Sequence, residues 1–121
     1  MGLANGASTN IGEFICGVVE DYVRATGVST ARGNSNVQYE SMGIGVNSTT
    51  TPSGIYSGGG MSGGAALSTV NMSAEVLFAP LTGYNYIAWL EWASGGNTTT
   101  FYGLATTTAA CNSGISMVWW H

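Results

Sequence analysis

Residues 83–103, GYNYIAWLEWASGGNTTTFYG, decide how this chain is read. At a period of two, Tyr84, Tyr86, Ala88, Leu90 and Trp92 fall on one side, and Asn85, Ile87, Trp89 and Glu91 on the other. That is a β-strand with one apolar and one mixed face. Ser94-Gly95-Gly96-Asn97 has the backbone freedom for a reversal, and the segment after it is β-branched and aromatic. The expectation is an antiparallel hairpin whose Tyr/Leu/Trp row seeds the core.

The flanking sequence reads as strands as well. Met72, Ala74, Val76 and Phe78 alternate with Ser73, Glu75 and Leu77, and Pro80-Leu81-Thr82-Gly83 forms a turn into the central strand. Residues 37–46 give another strand, weakened by Gly43 and Gly45, and residues 65–70 a further one. Residues 47–64 read as a long loop punctuated by Pro52 and six glycines. A turn at Asn112-Ser113-Gly114 precedes a last strand at 115–120, too apolar for an open edge.

Residues 11–25 admit two readings. Ile11, Phe14, Ile15, Val18, Val19, Tyr22 and Val23 have helical spacing, with Asn10 and Glu13 placed as a capping box and Gly27 as a stop. Gly17 and the β-branched residues oppose a helix, and Phe14, Cys16, Val18 and Tyr22 also alternate. We expect strand, with a single N-terminal helix over 11–25 as the competitor. The chain then comprises a linker or arm at 1–10 and one domain at 11–121. Seven or eight short strands with Gly, Pro and Asn turns point to an all-β, antiparallel β-sandwich or jelly roll.

Composition narrows the function. The chain has 121 residues, two arginines, no lysine, six acids and a net charge of −4, yet 45% of it is apolar. Two arginines make no phosphate-binding patch, which excludes nucleic acid as the partner. No apolar run reaches the roughly 18 residues that span a bilayer, so no membrane insertion is expected. The first ten residues carry no basic n-region or apolar signal core, and such a start also fits a piece of a longer chain. A surface of hydroxyls and amides rather than ions is typical of extracellular or virion-surface β proteins. Cys16 and Cys111 are expected as buried thiols, with one disulfide as the alternative; neither has metal-ligand spacing.

Catalysis finds few carriers. The single histidine, His121, is the last residue, a poor seat for a nucleophile's base. Glu40, Glu75 and Glu91 could supply a carboxylate pair for glycoside hydrolysis, with Glu75 and Glu91 on strands that read as neighbours, on the face away from the core. Solvated strand residues or partners of Arg24 and Arg32 are the plainer reading. No enzyme, cofactor or metal is expected.

Binding remains. Aromatic rings among amides and hydroxyls stack on sugars, and they also build subunit interfaces; the interface carries more weight here. Candidate ligand-binding residues are Trp89 on the mixed face, Tyr56 in the long loop and Asn97 in the turn. Candidate interface residues are Ile87, Trp119 and Trp120, the last two pointing to opposite faces of one strand.

From residue 74 onward, AEVLFAPLTGYNYIAWLEWASGGNTTTFYG followed by CNSGISMVWWH resembles the C-terminal β-domains of bacteriophage fibre and other virion-surface proteins. In those a strand runs through a PLxxGxN/HxI segment into a Glu-bearing strand, then TTxF/WYG, then an SGI strand ending in Trp. Pro80, Leu81, Gly83, Asn85, Ile87, Glu91, Phe101, Tyr102, Gly103, Ser113, Gly114 and Ile115 occupy those positions. The resemblance implies a jelly-roll knob, similar to tumour-necrosis-factor-like trimers, that attaches a virion to a host-surface glycan or protein as a homotrimer. Such knobs bind through different loops, so no functional residue carries over. The alternatives are a monomeric carbohydrate-binding module with Trp89 as its platform, a structural capsid or decoration protein without ligand, and, last, a small glycosidase.

Overall fold

The computed structural model describes residues 1–3, 10–18, 22–33, 38–61, 69–94, 98–102 and 113–120. All regular elements among them are strands: β1 (Gly2–Leu3), β2 (Ile11–Cys16), β3 (Val23–Gly33), β4 (Gln38–Val46), β5 (Ile55–Tyr56), β6 (Gly58–Met61), β7 (Thr69–Phe78), β8 (Gly83–Ala93), β9 (Thr99–Tyr102) and β10 (Gly114–Trp119). Residues 11–16 form a strand and not the competing helix; Gly17 and Val18 follow it outside any element, and β3 begins only at Val23.

The strands form two antiparallel five-stranded sheets. In sheet A, β1 and β2 lie end to end along one side of β8, and β4 and then β6 follow on the other side. Sheet B repeats this plan: β10 and β9 lie end to end along β3, with β7 and then β5 beyond. From β2 to β9 every connection crosses from one sheet to the other. The expected 83–103 hairpin is therefore overturned. β8 belongs to sheet A, and β9 pairs with β3 in sheet B through Ala31↔Phe101 and Gly33↔Thr99. A local sequence shows that two segments are extended; it does not show with which strand each pairs.

The interior is filled unequally by the two sheets. Sheet A contributes the large side chains Met42, Ile44, Ile87 and Trp89, and sheet B the smaller Ala25, Ala31, Ala74 and Val76 with Met72. Gly27 of β3 completes this complementarity: a Cβ there would stand 2.7 Å from Met42 Cε. Bulk on one side meets shallowness on the other, which is how facing layers reach interior packing density. Phe14 and Phe78, with ring centroids 6.3 Å apart, pack against this cluster, as do Phe101, Ile115 and Met117. The alternation of Met72, Ala74 and Val76 points inward as expected.

The faces of β8 are the reverse of the expectation. Asn85, Ile87 and Trp89 are buried on the inner side, while Tyr84 and Trp92 are 59% and 45% exposed on the outer. Ala88 and Leu90, in the middle of that outer row, are nevertheless fully buried. They lie beneath the chain that follows β4, which folds back across the sheet. Ser53 N donates to Ile44 O at 2.7 Å, and Val46 N donates to Ser53 Oγ at 3.3 Å. Gly43 and Gly45 make that approach close: a Cβ on Gly43 would be 2.8 Å from Pro52 Cβ, and one on Gly45 would fall on the Ser48 carbonyl oxygen. The glycines that weaken β4 as a sequence pattern are the surface on which this segment rests.

Two asparagines fix the fold-back. Asn47, at φ 50°, extends the β4–β8 ladder by one step: its N–H donates to Tyr86 O at 2.9 Å, and its Oδ1 accepts from Tyr86 N at 2.8 Å. Asn85, fully buried, donates to Leu81 O and Gly83 O and accepts from Leu81 N and Asn47 Nδ2. Both its donors and both its acceptor positions are used. Asn85 thus holds the Pro80–Gly83 turn, with Gly83 at φ 98°.

Gly45→Ala is expected to lift residues 47–53 off the sheet and cost about 1–3 kcal/mol. Urea unfolding monitored by tryptophan fluorescence measures it.

Candidate functional site

Outside the core the described residues interact chiefly through hydroxyls and amides. Thr26 Oγ1 and Ser116 Oγ share a hydrogen bond of 2.8 Å between β3 and β10, and Thr30 Oγ1 donates to Asn71 Oδ1 at 2.8 Å. At the sheet edge Ser57 Oγ both accepts from Ser73 N and donates to Ser73 O. Among the described residues one salt bridge stands out, Arg24 Nη2 to Glu75 Oε2 at 2.9 Å, and this contact raises the Arg24 pKa. Two outer faces carry apolar groups on this neutral surface.

The outer face of sheet B is the broader. Val28 from β3, Leu77 from β7, Ile55 from β5 and Val118 from β10 are exposed, and Tyr22 and Trp120 continue the rows at one end. Tyr56, also exposed, pairs with the inward Ala74 and so lies on the opposite face of β5 from Ile55. A groove of about 640 Å³ runs between β5, β7 and β3, lined by Ile55, Tyr56, Val28, Leu77, Thr26 and Glu75 among others. The Arg24–Glu75 ion pair lies within this face. Exposed apolar groups gathered on one sheet face are the mark of a contact surface.

The outer face of sheet A is split by the segment folded over it. At one end Tyr84 and Tyr86 lie with ring centroids 6.1 Å apart, and Tyr84 OH donates to Glu13 Oε1 at 2.6 Å. That bond to a carboxylate raises the Tyr84 pKa. Ile15 is exposed beside them. At the other end Trp92 stands opposite Ser41, and Tyr39, 58% exposed, is on the same face of β4. Ser94 closes this end, its Oγ accepting from Tyr39 N at 2.9 Å. Each end offers flat rings beside hydroxyl or carboxylate oxygens, the combination that stacks on and hydrogen-bonds a sugar.

The candidates from the sequence separate accordingly. Trp89 is 8% exposed inside the sandwich, and its Nε1 has no hydrogen-bond partner; it is a core residue and presents no platform to solvent. Ile87, 2% exposed, is core as well and does not lie at an outer surface. Trp119 packs edge-on against Phe14 at 5.7 Å between the two sheet edges, while Trp120 is half exposed. Tyr56 lines the groove of sheet B. Asn97 lies outside the described residues, as does Cys111; Cys16 is buried, with its thiol on Val18 O at 2.9 Å.

The residues that sequence reasoning missed are Trp92, Tyr39 and Tyr84. The period-two grouping of β8 is right, but the mixed row also carries the bulky Ile87 and Trp89, so composition does not say which faces in. The signal lay in β4, where Met42 and Ile44 alternate with Gly43 and Gly45: the bulky row marks the core side, and Ile44↔Trp89 transfers that side to β8.

The carboxylates are also rearranged. Glu75 and Glu91 are not on neighbouring strands: β7 is in sheet B and β8 in sheet A. Glu75 faces solvent beside Arg24, whereas Glu40 is buried on the inner side of sheet A. Glu91 shares that inner side, one step diagonally from Glu40, because Met42 pairs with Glu91 and Glu40 with Ala93. No group of three or more His, Cys, Asp or Glu side chains suited to a metal occurs among the described residues, and no helix among them is long and apolar enough to cross a membrane. No family model matches the chain, and neither a curated protein nor a solved structure is significantly similar to it.

Exchanging the roles of the two tryptophans has a measurable consequence. Trp89→Ala should cost about 3–5 kcal/mol, and Trp92→Ala about 1 kcal/mol or less. Paired urea denaturation curves distinguish them.

Proposed function

We propose that this chain is an attachment module of a virion surface, a homotrimeric knob that recognises a glycan on the host cell. The observation that carries the reading is the apolar outer face of sheet B, gathered around one ion pair on a chain with almost no charge. Leu77, Val28, Ile55 and Trp120 would lie against sister subunits, and the groove beside Tyr56 would take side chains from a neighbour. Among the residues expected at the interface, Trp120 keeps that role. The aromatic ends of sheet A, Trp92 with Tyr39 and Tyr84 with Glu13, would then face the host glycan.

The jelly roll is the finer form of the fold in this proposal. The exchange of sheets at every connection from β2 to β9 supports it, since interlocked Greek keys move the chain between layers in this way. The reading gives the chain no catalytic role, nucleic-acid partner or inserted membrane segment. A second reading, a monomeric carbohydrate-binding module, is favoured by the same groove if it stands open in the single chain, with Tyr56, at its β5 edge, as the stacking ring.

Light scattering after gel filtration should give three times the 12.4 kDa of the chain. Leu77→Glu should return it to the mass of one chain while changing its stability by only about 1 kcal/mol. A single-chain mass for the unaltered protein at micromolar concentration contradicts the knob. On immobilised host-surface oligosaccharides, Trp92→Ala should lose binding in the knob, and Tyr56→Ala in the monomeric module.

A further inference from the structure

Glu40 is the anomaly of the interior. Its side chain is 1% exposed, on the inner row of β4 with Met42 and Ile44. One oxygen, Oε1, accepts a hydrogen bond of 3.3 Å from Thr99 Oγ1 of β9; the other, Oε2, is buried without a partner. A buried carboxylate needs a cation or several donors to stay ionised.

The described residues around it supply neither. From β8 the charged group on the same inner side is Glu91, another acid, one diagonal step away. From β3 the inner row beside it is Ala31 and Gly33, from β7 Val70 and Met72, from β9 Thr99 and Phe101, and from β6 glycines. The whole chain holds three basic side chains. Arg24 is bound to Glu75 and Arg32 reaches Tyr102 OH at 3.5 Å, both on the outer side of sheet B. The third, His121, lies outside the described residues. The Met1 side chain rests over Gly43 on the outer side of sheet A.

We propose that Glu40 is a proton-dependent latch between the two sheets: it is held as the neutral acid in the folded chain, and its ionisation loosens the end of the sandwich where β4 meets β9. Desolvation raises its pKa above the ordinary carboxylate value, outweighing the bond from Thr99 that lowers it. Because the folded value lies above the unfolded one, Glu40's contribution to stability is complete below the ordinary carboxylate range. It is lost as pH rises through the folded value. Glu40→Gln keeps the neutral shape and removes the titration.

The experiment compares urea midpoints of the unaltered chain and Glu40→Gln at pH 5 and pH 8, together with an NMR titration of carbon-13-labelled glutamate side chains. The midpoint of the unaltered chain should fall between pH 5 and pH 8, and that of Glu40→Gln should fall less and be the higher of the two at pH 8. The Glu40 carboxyl signal should titrate above the ordinary glutamate value. A Glu40 signal that titrates at or below the ordinary glutamate value overturns the proposal, as does a Glu40→Gln midpoint lowered equally at both pH values. If Glu40→Gln does not fold, the titration of the unaltered chain decides alone.

Discussion

The packing of a bulky row against a shallow one is the constraint on which the rest of this protein depends. Met42, Ile44, Ile87 and Trp89 of sheet A fill the space that Ala25, Gly27, Ala31 and Ala74 of sheet B leave open. Alternation along a strand is strict, so committing Ile87 and Trp89 to the interior commits Tyr84, Tyr86 and Trp92 to the outside. A slip of one residue in β8 would exchange the rows and bring Tyr84 and Trp92 against a sheet with no room for them.

That commitment leaves Ala88 and Leu90 on an outer face, and the chain covers them with its own backbone. Gly43 and Gly45 let residues 47–53 lie flat across sheet A; Asn47, bonded to Asn85 and Tyr86, pins the start of the crossing and Ser53, bonded to Ile44 and Val46, its end. The covered centre divides the outer face into two aromatic ends, Tyr84 with Glu13 and Trp92 with Tyr39. Among the described residues no comparable cover lies over the rows of Val28, Leu77 and Ile55 on sheet B, which supports its proposed role against sister subunits. With no lysine, and with both arginines on the outer side of sheet B, Glu40 Oε2 is buried without a partner among the described residues.

Much of this was legible in the sequence, and the failures have physical causes. Period two and the Gly, Pro and Asn turns mark the all-β class, the span of β4 and the inward row of β7, because those signals are local. The pairing of β9 is not local: Thr99–Tyr102 reads the same beside β8 or β3, and only the packing of two sheets chooses. The faces of β8 were ambiguous because both carry large apolar residues, and Asn85 and Glu91 on one of them suggested solvent although Asn85 is buried with every hydrogen-bonding position used. At residues 11–16 helical spacing coexisted with alternation; pairing with β8 from Ile11↔Ala88 to Cys16↔Gly83 resolved it as strand. The Pro80, Gly83 and Asn85 of the virion-fibre resemblance prove to be turn-holding residues, so they bear on shape and leave the ligand to other positions.

The fold and the proposed attachment role meet in one claim: Trp89 belongs to the interior and Trp92 to the surface. Hydroxyl-radical labelling of the native protein, read residue by residue by mass spectrometry, tests it most directly. Protection of Trp89 beside ready modification of Trp92 is the expected result. Trp89 modified as fast as Trp92, or faster, would contradict the placement of β8 and with it the arrangement of both faces.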